Sequence, residues 1–108
     1  MSDAIVVFMT AGSVDEARRI AQQLVETRLA ACVQILPEIE SIYRWQGEVQ
    51  REKEVLMLAK TSREQFEELE KSVRAIHSYE TPEIVAVPMA AISEPYRSWL
   101  NENVGNGT

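Results

Sequence analysis

The feature that most constrains this chain is a pair of long strand-like segments within residues 30–61, which meet at Gln46-Gly47. Glycine readily adopts the positive φ that a two-residue hairpin turn requires, so the pattern predicts a β-hairpin with its turn there. Pro37 lacks the amide hydrogen of a strand ladder and therefore predicts a bend or bulge in the first arm. Counting outward from the turn predicts three facing pairs: Trp45 with Glu48, Tyr43 with Gln50, and Ile35 with Leu58.

The length of this hairpin predicts an oligomer. Each arm has about 15 residues, and at ~3.3 Å per residue it spans roughly 50 Å. A compact domain of this size has a radius of gyration of only about 13 Å, so the hairpin extends beyond its own domain. Ile42, Tyr43 and Trp45 near the turn face an arm that is polar apart from Val49. Exposed aromatic side chains and unpaired strand edges are normally covered, and we expect another copy of the chain to cover them.

The rest of the sequence alternates strand and helix patterns around the hairpin. Apolar runs at residues 5–10 and 83–89 predict two further strands. Helices are predicted to begin at Ser13, Ser62 and Ser93, because an apolar stripe with helical spacing follows each of them. The first two serines also have capping-box spacing. The resulting order, βαββαβ with an extra C-terminal helix, predicts an α+β, ferredoxin-like fold. Two helices then cover one face of an antiparallel sheet, and the other face is apolar and bare.

The composition excludes several classes of protein. A net charge of −6 provides no basic surface for nucleic acid, and the apolar run near the N-terminus is too short for a membrane span or a signal peptide. The length predicts one domain, residues 1–108. Cys32 is the single cysteine, which rules out an intrachain disulfide and predicts the cytoplasm. With one histidine and no phosphate-binding loop, HExxH or paired CxxC motif, the chain is not expected to be an enzyme.

Five motifs occur in the order and spacing of a known family. They are LAACV at 29–33, SIYRWQG at 41–47, KT at 60–61 after Glu54, HSYETPE at 77–83 and YRSWL at 96–100. From about residue 5 to residue 100, the chain therefore resembles the CutA, or divalent-cation-tolerance, family. The resemblance implies a cytoplasmic homotrimer of ferredoxin-like subunits, similar in architecture to the PII signalling proteins, in which the sheets face inward and the hairpins wrap neighbouring subunits. It also implies tolerance to divalent metals, copper binding as in bacterial members, and no established catalytic reaction.

The resemblance also selects candidate metal ligands. His77 matches one of two successive histidines in copper-binding members, whereas Ile76 takes the other position and Met9 stands where those members have a cysteine. A thioether binds Cu(I) but is a poor ligand for Cu(II) or zinc. His77 also lies at a predicted helix end, where an imidazolium interacts favourably with the helix dipole. His77 and Met9 therefore have a second, structural interpretation in addition to that of metal ligands: His77 caps a helix and Met9 lies in the core.

A second set of candidates belongs to the predicted surfaces between subunits. Tyr43 and Trp45 are expected in the interface, where aromatic residues concentrate, or in a ligand cleft. Lys60, Tyr79 and Glu83 would form a pocket for a small anion or a metal ion if they converge at a subunit boundary, and a structural ion pair is equally compatible. The acidic residues of the second hairpin arm are interpreted as a solvated or intersubunit charged edge: Glu48, Glu52 and Glu54.

Three functions are compatible with these patterns. The first is a trimeric metal-tolerance protein of the CutA type. The second is a PII-like regulatory trimer that binds a small molecule in clefts between subunits. The third, an enzyme of the dimeric α+β-barrel type, requires polar side chains on the bare sheet face, where these strands offer mainly Val, Ile, Leu and Met.

Overall fold

The computed structural model of the protein describes residues 3–105. Its elements follow the order β1 (Ala4–Ala11), α1 (Val14–Glu26), β2 (Cys32–Trp45), β3 (Glu48–Ser62), a 3₁₀ helix (Arg63–Gln65), α2 (Phe66–Ile76), β4 (Ile84–Pro88) and α3 (Glu94–Glu102). The strands of this range form one antiparallel sheet in the order β2-β3-β1-β4. The predicted α+β order, βαββαβ with a long central hairpin and a C-terminal helix, is confirmed. Within residues 3–105, no helix has the length and hydropathy needed to cross a membrane.

The hairpin turns at Gln46 and Gly47, whose φ angles are +51° and +84°. Two successive positive φ angles give a turn whose twist matches that of the strands it joins. Next to the turn, two of the predicted pairs are confirmed: Trp45 with Glu48 and Tyr43 with Gln50. The local chemistry of the turn therefore sets the register of the tip.

The register changes at the base of the hairpin. Ile35 lies opposite Met57 and not Leu58, so the third predicted pair is wrong by one residue. The cause is a β-bulge between Leu36 and Ile39, where the intervening proline interrupts the ladder. The bend predicted from this proline is present, and it adds the one residue that the count from the turn did not include.

Two of the three predicted helix starts are confirmed. Ser13 accepts a hydrogen bond from the Glu16 amide at 3.1 Å, and Ser93 accepts one from the Tyr96 amide at 3.4 Å. The capping prediction for Ser62 is wrong, because this residue makes no side-chain capping bond and precedes the 3₁₀ helix. The chain therefore leaves β3 through a 3₁₀ turn before α2 begins.

The core lies between the sheet and the helices α1 and α2. Its largest side chains are at most 1% exposed: Val7, Met9, Ile20, Leu24, Met57, Leu69 and Val73. Because side chains alternate along a strand, the intervening residues point to the other face of the sheet. There Val85 and Val87 remain 54% and 42% exposed. The described residues measure 46 × 26 × 22 Å, an elongation that agrees with a long hairpin. The exposed valines show that this apolar face of the sheet is open in one chain.

Candidate functional site

A cleft of about 720 Å³ lies between the hairpin tip and the loop that joins α2 to β4. The loop contributes residues 79–83, and Thr10 contributes from the end of β1. The hairpin contributes aromatic and acidic side chains, chiefly Tyr43, Trp45, Glu52 and Glu54. Small-molecule sites in proteins have volumes of roughly 300–1,000 Å³, so the cleft is large enough for a metabolite-sized ligand.

Strand alternation brings the hairpin residues to one side. In β2, Ser41, Tyr43 and Trp45 are two residues apart and therefore point to the same face. Ser41 lies opposite Glu52 in β3, so Glu52 and Glu54 share that face. The hairpin thus presents a row with two aromatic side chains beside an acidic row.

His77 holds the loop against the sheet. Its side chain is only 1% exposed, and its Nδ1 accepts a hydrogen bond from the Tyr79 amide at 3.0 Å. Its Nε2 lies 2.7 Å from the carbonyl oxygen of Thr10. Because Nδ1 accepts, the proton is on Nε2, which donates to Thr10. The His77 amide also donates to the carbonyl of Val73 at 2.9 Å at the end of α2, so the predicted capping position is observed.

Glu16 is a second anchor of this loop, and the sequence reasoning assigned it only a capping role. It is 4% exposed and accepts hydrogen bonds from the Gly12 amide (3.1 Å), the Ser78 amide (2.7 Å) and the Ser78 hydroxyl (3.0 Å). Burial by itself raises the pKa of Glu16, but the hydrogen bonds outweigh burial and the pKa is lowered overall. The carboxylate is therefore ionised, and it ties the start of α1 to the loop.

Two tyrosines hold two of the glutamates in the cleft. The Tyr79 hydroxyl donates to Glu54 Oε2 at 2.8 Å, and the Tyr43 hydroxyl donates to Glu52 Oε1. Burial first, and then the bond to Glu54, raise the pKa of Tyr79 far above its usual value, so its hydroxyl remains a donor. The bond to Glu52 is the main cause that raises the pKa of Tyr43. Glu54 is only 9% exposed, so the interpretation of a solvated edge fails for this residue.

The cleft is strongly acidic. Four glutamates line it, and in the described part of the chain no lysine or arginine does: Glu52, Glu54, Glu80 and Glu83. Burial, and next the neighbouring carboxylate of Glu54, raise the pKa of Glu83. A carboxyl group whose ionisation is opposed in this way is stabilised by a cation nearby. The arrangement can therefore attract positive charge, and none of its described lining residues offers a basic group to hold an anion.

Four of the five residues predicted for a cleft or interface lie around this one cleft: Tyr43, Trp45, Tyr79 and Glu83. Lys60 lies elsewhere, near the base of the hairpin, where its Nζ donates to Gln34 Oε1 at 2.7 Å. Within one chain, Lys60 therefore does not meet Tyr79 and Glu83. Its predicted place in an interface between subunits stays a prediction.

The residues that the resemblance implies for copper do not fit a metal site. Both nitrogens of His77 are engaged, one with Thr10 and one with Tyr79. Met9 is 1% exposed in the core between the sheet and the helices. Across residues 3–105, no group of three or more His, Cys, Asp or Glu side chains is arranged to hold a metal ion.

The family of the chain follows from nearly its whole length. Residues 5–103 match the family model described as CutA1 divalent ion tolerance protein. The chain belongs to this family. It is 52% identical over 100 residues to the divalent-cation tolerance protein CutA of Thermus thermophilus. The aligned region covers 93% of this chain and 97% of that relative. The CutA resemblance based on the sequence motifs is thus confirmed.

Solved structures of CutA proteins have the same fold. The divalent cation tolerance protein CutA1 of Thermus thermophilus matches with a TM-score of 0.92 at 51% identity, over 94% of this chain and 99% of that chain. The periplasmic divalent cation tolerance protein CutA of Archaeoglobus fulgidus matches with a TM-score of 0.91 at 39% identity, over 94% and 99%. The name of the Archaeoglobus protein places that relative in the periplasm, whereas the single cysteine of this chain predicts the cytoplasm.

Proposed function

We propose that this CutA1 family member acts as a homotrimer that confers tolerance to divalent cations without catalysing a reaction. The observation that supports an oligomer is the open apolar sheet face, where Val85 and Val87 are 54% and 42% exposed. The number of three subunits is what the CutA resemblance implies. The hairpin tip adds Ile42 and Trp45, which are 60% and 42% exposed. Exposed apolar side chains of this kind are typical of a protein–protein interface.

The oligomer is tested by analytical ultracentrifugation at low micromolar concentration. The wild type should sediment at three chain masses. Val87→Lys places a charge on the open face and should shift the protein to smaller species, whereas Val25→Lys on α1 should leave the trimer intact. The two valines are matched, because they are 42% and 43% exposed. A folded wild type that sediments as a single chain would refute the proposed trimer.

In this proposal the protein acts in the cytoplasm. Its divalent cation binds at the acidic cleft, with copper(II) as the first candidate. The support is chemical: the cleft contains four glutamates, and none of its described lining residues is basic. Carboxylate oxygens bind divalent cations. Because residues 3–105 contain no group of three or more such ligands, the remaining ligands come from a neighbouring subunit in this proposal. Localisation is tested by fractionating cells that produce the tagged full-length chain; recovery in an extracytoplasmic fraction would refute the cytoplasmic assignment.

Titration of the apo-protein with copper(II) and with zinc tests the cation site. Glu54→Gln and Glu83→Gln should each weaken binding about tenfold, which corresponds to about 1.4 kcal/mol. Glu67→Gln, on the exposed face of α2, removes the same charge far from the cleft and should bind like the wild type. Metal binding that is equal in all four proteins would exclude the cleft as the metal site.

A second candidate function is that of a PII-like trimer that binds a small molecule. The specific observation in its favour is the cleft itself, because about 720 Å³ is more than a single hydrated metal ion needs. Aromatic side chains at the cleft offer an apolar surface that a bare ion would not use. Thermal-shift screening of charged metabolites tests this candidate: a stabilising ligand whose effect disappears in Glu54→Gln supports it.

A further inference from the structure

We propose that the cleft between the hairpin tip and the loop 79–83 binds an organic cation, namely a primary ammonium group attached to an aromatic or apolar body. This inference rests on the small-molecule function described above and adds the chemical class of the ligand. The charge, the walls and the fixed carboxylates of the cleft each support one part of this assignment.

The charge of the cleft selects a cation. Glu52, Glu54, Glu80 and Glu83 line it, and among residues 3–105 no lysine or arginine takes part in the lining. Glu54 is only 9% exposed, and its charge together with burial makes the ionisation of Glu83 harder. Glu52, Glu80 and Glu83 are exposed and stand around the buried Glu54. Carboxylates gathered in this way favour binding of a positive group, which relieves their mutual repulsion.

The walls of the cleft select an organic cation over a bare metal ion. In the single chain, Tyr43 and Trp45 are 39% and 42% exposed, so part of each ring can face a ligand at the subunit boundary. Tyr79 continues the aromatic wall on the loop, next to Pro82. Aromatic faces attract ammonium groups through cation–π contacts and bury the apolar part of a ligand. A metal ion would instead require three or more suitably placed protein ligands, which the described residues do not offer.

The carboxylates are held in place before any ligand binds. The Tyr79 hydroxyl bonds one oxygen of Glu54, and the Tyr43 hydroxyl bonds one oxygen of Glu52. Tyr79 is itself fixed, because its amide donates to His77 and the two rings lie 4.7 Å apart at their centroids. An ammonium group has three donors and no acceptor, so it matches a site whose charged groups are acceptors only. Such preorganisation reduces the entropy that binding would otherwise cost.

A matched set of three probes tests this assignment: 2-phenylethylamine, the neutral 2-phenylethanol and the anionic 3-phenylpropionate. Trp99→Phe leaves Trp45 as the single tryptophan, so quenching of its fluorescence at neutral pH reports binding at the cleft. The amine should bind at least about tenfold more tightly than the alcohol, a difference of about 1.4 kcal/mol, and the anion should not bind. Equal affinity for amine and alcohol would overturn the proposal.

Variants in the same background locate the site. Glu54→Gln should weaken amine binding about tenfold. Glu52→Gln, at an exposed position that does not threaten folding, should weaken it about threefold. Glu67→Gln, outside the cleft, is the control and should bind as the wild type does. If all three variants bind the amine equally, the assignment of the site is wrong.

The remaining outcomes separate this inference from the functions proposed above. Copper(II) binding that depends on Glu54, with no amine binding, would overturn the organic-cation assignment and support the metal function. If no probe amine binds the wild type and Glu54→Gln reduces the sedimentation coefficient, a neighbouring subunit occupies the cleft, and the proposal is again overturned. Amine binding by a protein that sediments as a single chain would support the ligand class and refute the trimer alone.

Discussion

Replacing Glu16 with glutamine is expected to destabilise the fold by about 2–4 kcal/mol. The carboxylate accepts hydrogen bonds from the Gly12 amide, the Ser78 amide and the Ser78 hydroxyl. A hydrogen bond to a charged group contributes roughly 1.5–3 kcal/mol, and a buried donor without a partner costs about 1–3 kcal/mol. Glutamine has one carbonyl oxygen in place of two carboxylate oxygens, so at least one donor would face the new amide group. The magnitude follows from losing one to two of these bonds.

The same substitution changes how stability depends on pH. Burial alone would raise the pKa of Glu16, but its hydrogen bonds bring the folded-state value below the usual 4.5. Because the folded pKa is lowered, the carboxylate stabilises the fold above the unfolded pKa, and this contribution is lost as the pH falls through the folded value. The difference in unfolding free energy between the wild type and Glu16→Gln should therefore be largest at neutral pH and shrink toward about pH 3.

Urea unfolding followed by far-UV circular dichroism, at one fixed protein concentration, measures both effects. Glu67→Gln is the matched control, because it makes the same chemical change at a side chain that is 79% exposed and forms a surface ion pair with Lys71. The control should change the unfolding free energy by less than about 0.5 kcal/mol. A cost for Glu16→Gln no larger than that of the control, or a cost that stays constant into acid pH, would refute the hydrogen-bond argument.

The same urea assay tests three further predictions. Tyr79→Phe removes the donor to buried Glu54 and should cost about 1–3 kcal/mol, whereas Tyr43→Phe at the exposed tip should cost clearly less; equal costs would contradict the argument from burial. Gly47→Ala should cost about 1–2 kcal/mol, because φ is +84° and the position has open space around it, so the penalty comes from the backbone alone. Burial and the carboxylate of Glu54 raise the pKa of Glu83, so the stability of the fold falls as the pH rises through the pKa of Glu83 in the folded protein. Glu83→Gln should therefore be more stable than the wild type at neutral pH and equal to it near pH 4. The reverse order would contradict the assigned shift.

The sequence predicted those parts of the fold that depend on local rules. The turn at Gln46-Gly47 and the pairs next to it follow from turn chemistry, which involves only neighbouring residues. The prediction for Ile35 failed because it required a count through the bulge, and a proline indicates that a bulge exists without giving its length. Ser62 has capping-box spacing but enters a 3₁₀ helix, where that geometry is not formed.

The candidate site was predicted in part. Tyr43, Trp45, Tyr79 and Glu83 were predicted for a cleft or interface, and the structure places all four around one cleft. Lys60 was grouped with them by motif alone. It is six residues from Glu54 along β3, and at ~3.3 Å per residue this separation is about 20 Å, which is too far for a shared pocket in one chain. The count applies to a single chain, so the predicted place of Lys60 at a boundary between subunits stays a prediction.

Glu16 and Glu54 could not be assigned from the sequence, because their partners lie far away along the chain. Glu16 bonds Ser78, which is 62 residues away, and Glu54 bonds Tyr79, which is 25 residues away. An acidic residue in a polar segment is usually solvated, so local patterns give no signal of burial. Only the three-dimensional proximity of the loop to β1 and β3 distinguishes these two carboxylates from the others.

The β-bulge between Leu36 and Ile39 separates the hairpin into two independent parts. Below it, strand pairing is fixed by packing against α1 and α2; above it, pairing is fixed by the turn. Insertions or deletions of paired residues above the bulge can therefore lengthen or shorten the tip without shifting any core side chain to the wrong face. In evolutionary terms, the reach of the tip and the residues it carries can diversify among descendants while the packed base of the molecule stays constant.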